Sequence, residues 1–540
     1  MFKKLLSLMM VISMLLTCLL SAGVSVSAQQ TDAAETGLTR SCQDGNILQC
    51  FNWTLSQIKE ELPNIAKAGF TCVQTSPLQA HDGRNQWYWL YQPTGFTIGN
   101  ELGSYSDLEA LCEEADKYGV RIIVDVVANH LAGSNSGNLA NSVEAVFKNN
   151  KAAYFHNLGA KSNDDNRYEV TQKNIGMPDL NSENTAIQEM VAAMIERYKA
   201  AGVDGIRWDA AKHIALPSEN CGFWSRMAQI DIYQYGEILG APAGNSHETI
   251  NNPLMQEYAQ YLSVTDSKYS SELLSAVRNG SIYKTTGYWN KRDIASDHLV
   301  YWAESHDTYS NDGDEGWTKN LDQGVIDKAY AILGARAESH ALYLSRPSAK
   351  NSQSIYYGRK GSTHYTCDAI TAVNRFHNAM IGTAEKYYTN ANCYVVSRSD
   401  SKATGGAVIV SMKNADVDVS VNNSGAFVPV GTYTDQVSGS SWTVTDTKIT
   451  GHIGSSGIAV IQTERPLIGD TDLNGTIDIV DVTMIQKDVS LMITLTQEQR
   501  AAADADLNGA VEITDASMLQ RYLADIEVIG SHIGELLPVT

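Results

Sequence analysis

The segment Arg121-Ile-Ile-Val-Asp-Val-Val-Ala-Asn-His130 joins a short apolar run to a polar end, and a second segment repeats this form farther along the chain. In an extended strand, alternation places Asp125 and Asn129 on the same face. The second segment, Gly205-Ile-Arg-Trp-Asp-Ala-Ala-Lys-His213, likewise has Arg207 and Asp209 on one face. Polar residues at the ends of buried strands are typical of barrel enzymes, which build their active sites there.

Eight strand-type runs of this kind alternate with amphipathic, helix-type stretches such as 105–118 and 185–201. This order predicts an α/β fold, with a (β/α)8 TIM barrel over residues 42–383 as the catalytic domain. The connection after the third strand is too long for one helix, so residues 131–182 are predicted to form an excursion domain. The eight runs are 47–51, 71–75, 121–127, 203–209, 233–237, 261–265, 299–304 and 341–345.

The composition changes beyond the barrel. Val, Thr, Ser and Gly alternate over residues 384–463, which predicts a C-terminal antiparallel β-sandwich. A short linker, 464–467, leads to a repeat in which Asp470-Thr-Asp-Leu-Asn-Gly475 recurs as Asp504-Ala-Asp-Leu-Asn-Gly509. Each copy precedes an apolar helix face, so residues 468–530 are predicted to form a small helical module.

The charge of the chain argues against some partners and favours others. The formal net charge of -21 over 540 residues speaks against nucleic acid or an anionic membrane as partner. The acidic residues are unevenly placed, because residues 467–527 hold twelve Asp and Glu against three Lys and Arg. Such a local excess indicates cation binding in that segment.

The N-terminus has the form of a signal peptide. Lys3 and Lys4 precede the apolar run 5–20, and Val26-Ser-Ala28 offers small residues at a cleavage site, which predicts a signal over residues 1–28. No later stretch is apolar enough to predict a membrane span. We therefore expect a secreted, extracellular protein.

Seven cysteines remain once Cys18 leaves with the signal, and they are widely scattered. Their spacing predicts neither a metal site nor a dense disulfide framework. The sequence is compatible with one bridge, between Cys42 and Cys50, and equally with buried free thiols.

Carboxylates follow three of the predicted strands. Asp209, Glu237 in Tyr235-Gly-Glu-Ile238 and Asp307 in Glu304-Ser-His-Asp307 stand at successive strand ends. Glycoside hydrolysis needs one carboxylate to attack or stabilise the anomeric carbon and one acid to protonate the leaving oxygen. A single acid after a strand is usually a helix cap or a solvated side chain, but several ordered segments together favour this chemistry.

The ordered segments resemble the α-amylase family of glycoside hydrolases (family 13), in particular the secreted bacterial enzymes of the saccharifying type. The segments are VDVVANH (124–130), GIRWDAAKH (205–213), YGEIL (235–239) and ESHD (304–307), with further likeness over 87–93 and 369–377. The resemblance implies a secreted retaining endo-α-1,4-glucan hydrolase, an α-amylase that degrades starch and related α-glucans. It further implies Asp209 as nucleophile, Glu237 as general acid and base, and Asp307 as transition-state stabiliser.

The same resemblance implies a set of residues that bind the sugar or orient the nucleophile. His130 and His306 would bind hydroxyls, Tyr91 would stack on the sugar and Arg207 would orient Asp209. Aromatic side chains such as Trp87 are more often core residues, but between two glutamines they favour a sugar-binding cleft. The expected set is Trp87, Tyr91, Gln92, His130, Arg207, Lys212 and His306.

The resemblance also implies one calcium ion between the barrel and the excursion domain. Its expected ligands are Asn129, Asp179 and the carbonyl groups of Thr171 and His213. Oxygen atoms from separate loops suit this hard cation. Chloride-dependent relatives have Asn before the His-Asp pair, where this chain has Ser305, so we expect no chloride.

The repeat has the pattern of two calcium loops, with acids or Asn at positions 1, 3 and 5, Gly at 6 and acids at 9 and 12. An EF-hand sensor is the rival interpretation, but position 12 is Asp and no entering helix is evident. The pair resembles a dockerin, which implies a cohesin domain of a scaffold protein as partner and two bound calcium ions. Ile479, Val480, Ile513 and Thr514 are expected to contact the cohesin. The expected ligands are Asp470, Asp472, Asn474, the Thr476 carbonyl, Asp478 and Asp481, then Asp504, Asp506, Asn508, the Ala510 carbonyl, Glu512 and Asp515.

Two other functions remain open at this level. One is a non-catalytic starch-binding or scaffolding protein that has kept the barrel, against which all three carboxylates speak. The other is a related enzyme that debranches α-glucans or transfers glycosyl units. The dockerin resemblance implies that the secreted protein is held at the cell surface or in a complex through a scaffold.

Overall fold

A computed structural model describes most of the chain beyond the predicted signal peptide, which lies outside the described residues, as do Asn474 and Thr476. None of the described helices is long and apolar enough to cross a bilayer. The described residues are 38, 41–238, 253–282, 294–313, 316–337, 340–400, 404–413, 415–463, 466–473, 477–524, 526, 528–534 and 537.

Eight parallel strands close into a barrel, which confirms the predicted (β/α)8 fold. Neighbouring barrel strands pair in parallel, and the strand that begins the chain's barrel pairs with both the second and the last. Each of the eight predicted runs overlaps one of these strands. The barrel strands are β1 (Ile47–Gln49), β2 (Cys72–Gln74), β5 (Arg121–Val127), β6 (Gly205–Asp209), β7 (Tyr233–Gly236), β8 (Ser263–Thr265), β9 (Leu299–Trp302) and β10 (His340–Leu344), while β3 (Gln79–His81) and β4 (Pro93–Ile98) form a separate hairpin.

Helices cover the barrel and bury their apolar faces against it. Helix starts are encoded locally, since Thr54 and Ser104 each form a capping box that satisfies backbone N–H groups at the first turn. The helices of this region are α1 (Leu55–Lys67), α2 (Tyr105–Lys117), α3 (Ala145–Asn149), α4 (Lys151–Tyr154), α5 (Arg167–Gln172), α6 (Thr185–Ala200), α7 (Phe223–Met227), α8 (Pro253–Tyr258), α9 (Ser267–Arg278), α10 (His306–Ser310), α11 (Gln323–Gly334) and α12 (Asp368–Ala379).

The long connection between β5 and α6 contains α3, α4 and α5, and isolated bridges fold it onto itself. One bridge joins His130 to Asp179 and another joins Phe155 to Leu180. The segment predicted as an excursion domain therefore begins and ends close to the strand end that carries Asn129.

The C-terminal sheets pack face to face, as predicted for an antiparallel sandwich. Val395 and Ile409 of one sheet and Trp442 and Ile449 of the other belong to one buried apolar cluster. The first sheet has the order β11-β12-β13-β18 and the second β14-β17-β16-β15. Their strands are β11 (Ala384–Asn390), β12 (Cys393–Ser399), β13 (Gly405–Ser411), β14 (Val417–Asn422), β15 (Gly431–Thr434), β16 (Ser441–Val444), β17 (Lys448–Ile453) and β18 (Ile458–Gln462).

Three helices form the last unit, α13 (Ile479–Val489), α14 (Gln497–Ala503) and α15 (Ile513–Leu523). Its core is small and includes Val482, Ile485 and Leu519. Leu473 and Leu507 occupy equivalent positions of the two repeats and both have a positive φ, 61° and 55°. The internal repeat of the sequence is thus also a repeat of backbone conformation.

The cysteines are free thiols in the described structure, and a bridge between Cys42 and Cys50 is not formed. Cys42 precedes β1 and Cys50 follows it, so the extended strand holds the two thiols at opposite ends of the barrel. Cys42 instead lies against Cys72, which begins β2. The expectation of buried free thiols holds for six of the seven, and Cys367 is the exception because it is partly exposed.

Candidate active site

Strand register brings the polar residues of the barrel together. Asp125 of β5 stands beside Arg207 of β6, and Arg207 stands beside Tyr235 of β7. Asp209 ends β6, and Glu237 follows β7 directly. Asp307 lies in the first turn of α10, just after β9. The predicted catalytic carboxyls therefore meet at the C-terminal end of the barrel.

Two local features allow the chain to turn at this end. Ala210 adopts a left-handed conformation with φ 50°, and its N–H donates to Glu237 Oε2 at 2.9 Å. A Cβ at Gly236 would lie 2.7 Å from Leu262 and 2.8 Å from Ala211, so only glycine fits before Glu237. The turn and the glycine thus place Glu237 against the end of β6.

The Arg207 guanidinium is the centre of the site. Its Nη1 lies 2.8 Å from Asp125 and 3.0 Å from Asp209, and its Nη2 lies 3.1 Å from Glu237. A planar guanidinium has the donors for several carboxylates at once, which an ammonium lacks. Arg207 is therefore positioned to hold Asp209 and Glu237 close together and aimed into the mouth of the barrel.

If all the carboxyl groups around Arg207 were ionised, they would carry more negative charge than one arginine can neutralise. Burial raises the pKa of Asp209, and Arg207 opposes this shift. Burial and the neighbouring Glu237 raise the pKa of Asp307 well above its usual range. Burial also acts on Glu237, but Arg207 and the Ala210 N–H prevail and lower its pKa. Because Asp307 and Glu237 are hydrogen-bonded to each other, one proton belongs to this pair rather than to either residue alone.

A stack of rings lies beside the carboxyls. The Tyr91 and His306 rings are parallel, with centroids 5.2 Å apart, and Trp87 meets both rings edge-on. The Tyr91 hydroxyl donates to Asp125 Oδ2 at 2.9 Å, which links the stack to Arg207. Trp87 is 5% exposed and donates to Ser352, so it lies beneath the stack and supports it.

Both predicted active-site histidines are buried and uncharged. Burial lowers the pKa of His130 to about 4 and, with Arg207, that of His306 to about 3. The Gln49 amide donates to His306 Nδ1 at 2.9 Å, which leaves the ring proton on Nε2, 3.5 Å from Asp307. His130 Nε2 lies 3.0 Å from the Tyr91 carbonyl oxygen and donates to it. His130 therefore holds the backbone of the stacking tyrosine.

Gln92 and Lys212, the other two residues expected at the sugar, are half-buried. The Gln92 N–H closes the turn that carries Trp87 to Trp89, and the Lys212 N–H donates to the Glu237 carbonyl at 3.3 Å. Lys212 thus lies on the Glu237 side of the site. A small cavity of about 30 Å³ opens among Gln49, Arg207, Glu237, His306 and Asp307.

Two contributors to this geometry were missed by sequence reasoning. Gln49 ends β1 and sets the tautomer of His306 across 257 residues of chain. Asp125 was singled out by its motif but given no role, although it links Tyr91 to Arg207. The alternation in β5 is a signal for Asp125, whereas nothing near Gln49 in the sequence points to His306.

The two acidic loops of the last unit gather their carboxylates in the same way. The ligand oxygens of Asp470, Asp472 and Asp481 lie within 4.8 Å of one another, and so do those of Asp504, Asp506 and Asp515. Asp478 caps α13 through the Val480 N–H, and Glu512 occupies the matching cap of α15. Asn508 accepts from the Ala510 N–H at 2.9 Å. Each loop therefore presents three converging carboxylates below a helix N-terminus.

Comparisons with known proteins match the barrel and the acidic repeat to two different families. Residues 38–301 match the family described as the catalytic domain of α-amylase. This barrel belongs to an α-amylase catalytic domain. Residues 468–524 match the type I dockerin domain, so the acidic repeat is a dockerin. Domains of both kinds generally bind calcium.

Curated relatives extend the likeness beyond the family match. The α-amylase of Clostridium acetobutylicum is 33% identical over 450 residues, 79% of this chain and 55% of that protein. The α-amylase of Butyrivibrio fibrisolvens is 30% identical, over 78% of this chain and 47% of that protein. The chain thus spans about half the length of these two relatives.

The α-amylase fold is also found by structural comparison. The α-amylase I of Eisenia fetida, solved in complex with maltohexaose, superposes with a TM-score of 0.62. The match covers 79% of this chain and 99% of that chain at 19% identity, and it shows the shared fold.

The four expected calcium ligands lie in two pairs, Asn129 with Asp179 and His213 with the helix that carries Thr171. The Asn129 carbonyl accepts from the Leu180 N–H at 2.8 Å, and the Asn129 side chain contacts Asp179. His213 lies against the residue before Thr171, with its Nδ1 2.8 Å from the Val170 carbonyl. Asp179 Oδ1 is buried without a hydrogen-bond partner among the described residues, as a carboxylate ligand of a cation would be before the cation binds.

His156 is a neighbour of this position that the sequence did not reveal. Its ring lies 2.5 Å from Asp179 Oδ2 and 2.7 Å from Glu183 Oε2. Burial opposes charge on the ring, but the two carboxylates raise the pKa of His156 to about 9. A cationic imidazole therefore already neutralises part of the charge around Asp179.

The dockerin helices expose the residues that follow the ninth loop positions. Ile479 is 61% exposed, Val480 46% and Ile513 55%, and Thr514 is also exposed. Apolar side chains at the start of two related helices form a small surface that solvent does not favour. This is the surface on which we expected a cohesin.

Proposed function

We propose that the chain is a secreted, retaining, endo-acting α-1,4-glucan hydrolase that degrades starch and related α-glucans and is held on a scaffold by its dockerin. The observation that carries this proposal is the meeting of Asp209, Glu237 and Asp307 around Arg207 at the mouth of an α-amylase barrel. A carbohydrate hydrolase of this type needs a nucleophile, an acid and a polar wall for the sugar, and this end of the barrel supplies all three.

Asp209 is the nucleophile in this proposal. Its carboxylate attacks the anomeric carbon, and the contact with Arg207 at 3.0 Å keeps it aimed and favours its ionised form. Asp209 and Glu237 contact the same guanidinium, which supports the short carboxyl separation of about 5 Å typical of retaining enzymes. An inverting enzyme needs the wider spacing that leaves room for a water molecule.

Glu237 is the general acid and base, and Asp307 is its partner. The proton shared by this pair is available to the glycosidic oxygen as the bond breaks. Once the leaving group has gone, a water oxygen attacks the anomeric carbon while Glu237 takes a proton from that water, and the bond between the sugar and Asp209 breaks. Asp307 carries negative charge next to the developing positive charge on the sugar ring.

The sugar at the cleavage point lies on Tyr91 and is held by uncharged donors. Neutral His306 keeps its Nε2 proton for a hydroxyl group, since Gln49 occupies Nδ1. His130 and Trp87 act at the back of Tyr91, and Gln92 and Lys212 provide polar atoms at the rim. A ring face with polar groups at its edge suits a pyranose.

Three calcium ions complete the proposal. Asn129, Thr171, Asp179 and His213 would hold one ion that ties the excursion segment to the barrel. The two dockerin loops would hold the others, through the six clustered Asp residues together with Asn474, Thr476, Asp478, Asn508, Ala510 and Glu512. Calcium supplies charge neutralisation and cross-linking of loops rather than chemistry at the sugar.

Product analysis on three substrates separates this proposal from its alternatives. We expect soluble starch to yield short linear maltooligosaccharides with the α-anomer first, and pullulan and a cyclodextrin to be poor substrates. Preferential cleavage of pullulan would indicate a debranching enzyme, and longer or cyclic products would indicate a transferase. No turnover of any of them would favour the non-catalytic, starch-binding alternative.

Attachment to a scaffold is tested separately. Deleting residues 468–530 should leave hydrolysis of soluble starch unchanged and abolish capture by a cohesin from the producing organism. The double substitution Ile479→Asp and Ile513→Asp should also abolish capture, since both side chains are exposed on the proposed surface. Capture that survives the deletion would disprove the role of the dockerin.

A further inference from the structure

A cluster of three different ligand types lies outside the site described above. Asp327 is on α11, and His364 and Cys367 lie just before α12. One oxygen, one nitrogen and one sulfur atom of these residues lie within 4.8 Å of one another. The cluster is on the helix side of β10, because the Tyr343 hydroxyl, which contacts Asp327, belongs to a ring that packs against Phe70.

Neighbouring groups fix the orientation of the Asp327 carboxylate. Its Oδ1 accepts from the Tyr343 hydroxyl at 2.9 Å and from the Gln323 amide at 3.0 Å. Its Oδ2 faces His364 Nε2 at 2.8 Å. Carboxylate ligands of metal ions are typically held by such outer hydrogen bonds, which leave one oxygen for the ion.

The thiol of this cluster is the one that solvent reaches. Cys367 is partly exposed, whereas the other six described cysteines are buried. It occupies the N-cap position of α12 without a side-chain hydrogen bond to the helix, so its sulfur is not used for capping. His364 Nε2 lies 2.8 Å from Asp327 Oδ2, and the Cys367 thiol belongs to the same cluster.

We propose that Asp327, His364 and Cys367 bind one divalent transition-metal ion of the zinc class, with water as the fourth ligand. Sulfur and imidazole ligands favour zinc-type ions over calcium, which prefers oxygen alone. On binding, the thiol and the imidazolium each release one proton to solvent, so that the ion meets a thiolate, a neutral imidazole and a carboxylate.

The geometry is close to what such an ion requires. Metal–ligand bonds of about 2.0–2.3 Å in a tetrahedron imply ligand atoms about 3.3–3.8 Å apart. The pair His364 Nε2–Asp327 Oδ2 lies at 2.8 Å, just below this range, and all pairs of ligand atoms lie within 4.8 Å. His364, whose side chain is 40% exposed, can rotate to close the remaining difference.

Binding would join the last two helices of the barrel. Asp327 belongs to α11, and the other two ligands directly precede α12, so the ion would add a cross-link between helices that already share the Tyr330–Asn374 hydrogen bond. A ligand that binds only the folded state raises stability by mass action. We therefore expect a structural role, separate from the Asp209–Glu237 pair.

The test uses the full chain, stripped of transition metals and kept in excess calcium, with Co²⁺ as probe. We expect one equivalent of Co²⁺ to produce a thiolate-to-cobalt charge-transfer band, and Zn²⁺ to displace it and raise the melting temperature of the barrel. Cys367→Ser should abolish the band, and Asp327→Asn and His364→Gln should each weaken binding at least about tenfold. His452→Gln is the matched control, because His452 pairs with Asp418 at 2.9 Å without a thiol.

Protection of the thiol gives a second measurement that does not depend on the variants. Zn²⁺ should slow alkylation of Cys367 by iodoacetamide in the native chain, as read from the mass of the peptide that contains it. The proposal is wrong if saturating Co²⁺ gives no thiolate band, or if the band persists in Cys367→Ser. It is also wrong if Zn²⁺ leaves the alkylation rate of Cys367 unchanged.

Discussion

The barrel site and the dockerin loops both gather carboxylates, but they obtain positive charge from different sources. In the barrel, Arg207 contacts Asp125, Asp209 and Glu237 directly. In the loops, residues 470–481 and 504–515 contain no Lys, Arg or His. A cluster with its own cation is organised when the chain folds, whereas a cluster without one depends on a cation from solvent.

The source of positive charge determines which property of each region, activity or folding, should respond to a change. In the proposed function the charges of the barrel site orient the nucleophile and transfer a proton, so single substitutions there should change activity. The loops hold a small core together, so their residues should be sensitive to calcium in folding. The predictions below separate these two kinds of dependence.

The largest expected effect is on turnover. Glu237→Gln removes the proposed general acid, which would give a proton to the glycosidic oxygen, so kcat should fall at least about 100-fold, or about 2.7 kcal/mol in barrier. Starch binding should persist, because the amide keeps the size of the side chain. Steady-state kinetics on soluble starch and a pull-down with insoluble starch measure the two quantities.

Two further variants check that assignment. Asp209→Asn should be equally inactive, since the nucleophile is lost, while Glu189→Gln should be normal because Glu189 pairs with Arg226 on the surface. Turnover by Glu237→Gln within about tenfold of the unsubstituted chain would remove Glu237 from its role, because general-acid removal costs more than that. Wild-type products that appear first as the β-anomer by NMR would refute the retaining mechanism.

The second effect is the loss of dockerin structure without calcium. The core around Val482, Ile485 and Leu519 is small, and units of this size usually need additional links. The isolated segment 466–537 should therefore be largely unfolded in chelator and gain helix on addition of calcium. Far-ultraviolet circular dichroism measures this change.

A chain truncated after Thr463 serves as the control, because its helices belong to the barrel and should persist in chelator. Asp481→Asn with Asp515→Asn should leave the segment unfolded even in calcium, since these buried carboxylates belong to the two clusters. Identical spectra of the segment in chelator and in calcium would contradict the dependence on an external cation.

A third, smaller effect concerns the calcium ion proposed for the barrel. Asp179→Ala should lower stability by about 1–3 kcal/mol, because it removes a buried carboxylate that tethers the excursion segment. In the chain truncated after Thr463, chelator should lower the melting temperature of the parent and leave that of Asp179→Ala unchanged. Asp231→Ala, at an exposed position, is the control.

If chelator does not change melting of the truncated parent, the barrel holds no calcium at Asp179. That outcome would assign the neutralisation of Asp179 to His156 alone, at 2.5 Å. The barrel and the dockerin would then differ completely in their dependence on calcium.

The sequence predicted the parts of the fold that depend on local pattern. The eight strands, the sandwich and the repeat follow from alternation and composition, and the grouping of Asp209, Glu237 and Asp307 follows from their place at strand ends. The contact between Gln49 and His306 and that between Cys42 and Cys72 did not follow, because each joins residues on different strands or loops. Asp327 and Cys367 were missed for the same reason, since no metal-site spacing connects residues on different helices.

The smallest expected effect tests the internal cation itself, by the substitution Arg207→Lys. Lysine keeps the positive charge but offers one ammonium on a flexible stem, which cannot reproduce the contacts of Arg207 with three carboxylates. Burial already raises the pKa of Asp209, and Arg207 is the group that opposes it, so the substitution should raise this pKa further. A carboxyl with a higher pKa stays protonated, and so cannot attack, up to a higher pH. The acidic limb of the kcat/KM profile on soluble starch should therefore move to higher pH, by about one unit or about 1.4 kcal/mol.

Arg226→Lys should leave the limb in place, because its partner Glu189 lies on the surface. An acidic limb that does not move in Arg207→Lys would mean that Arg207 orients Asp209 without controlling its ionisation, and the contrast with the dockerin would then be one of geometry rather than charge.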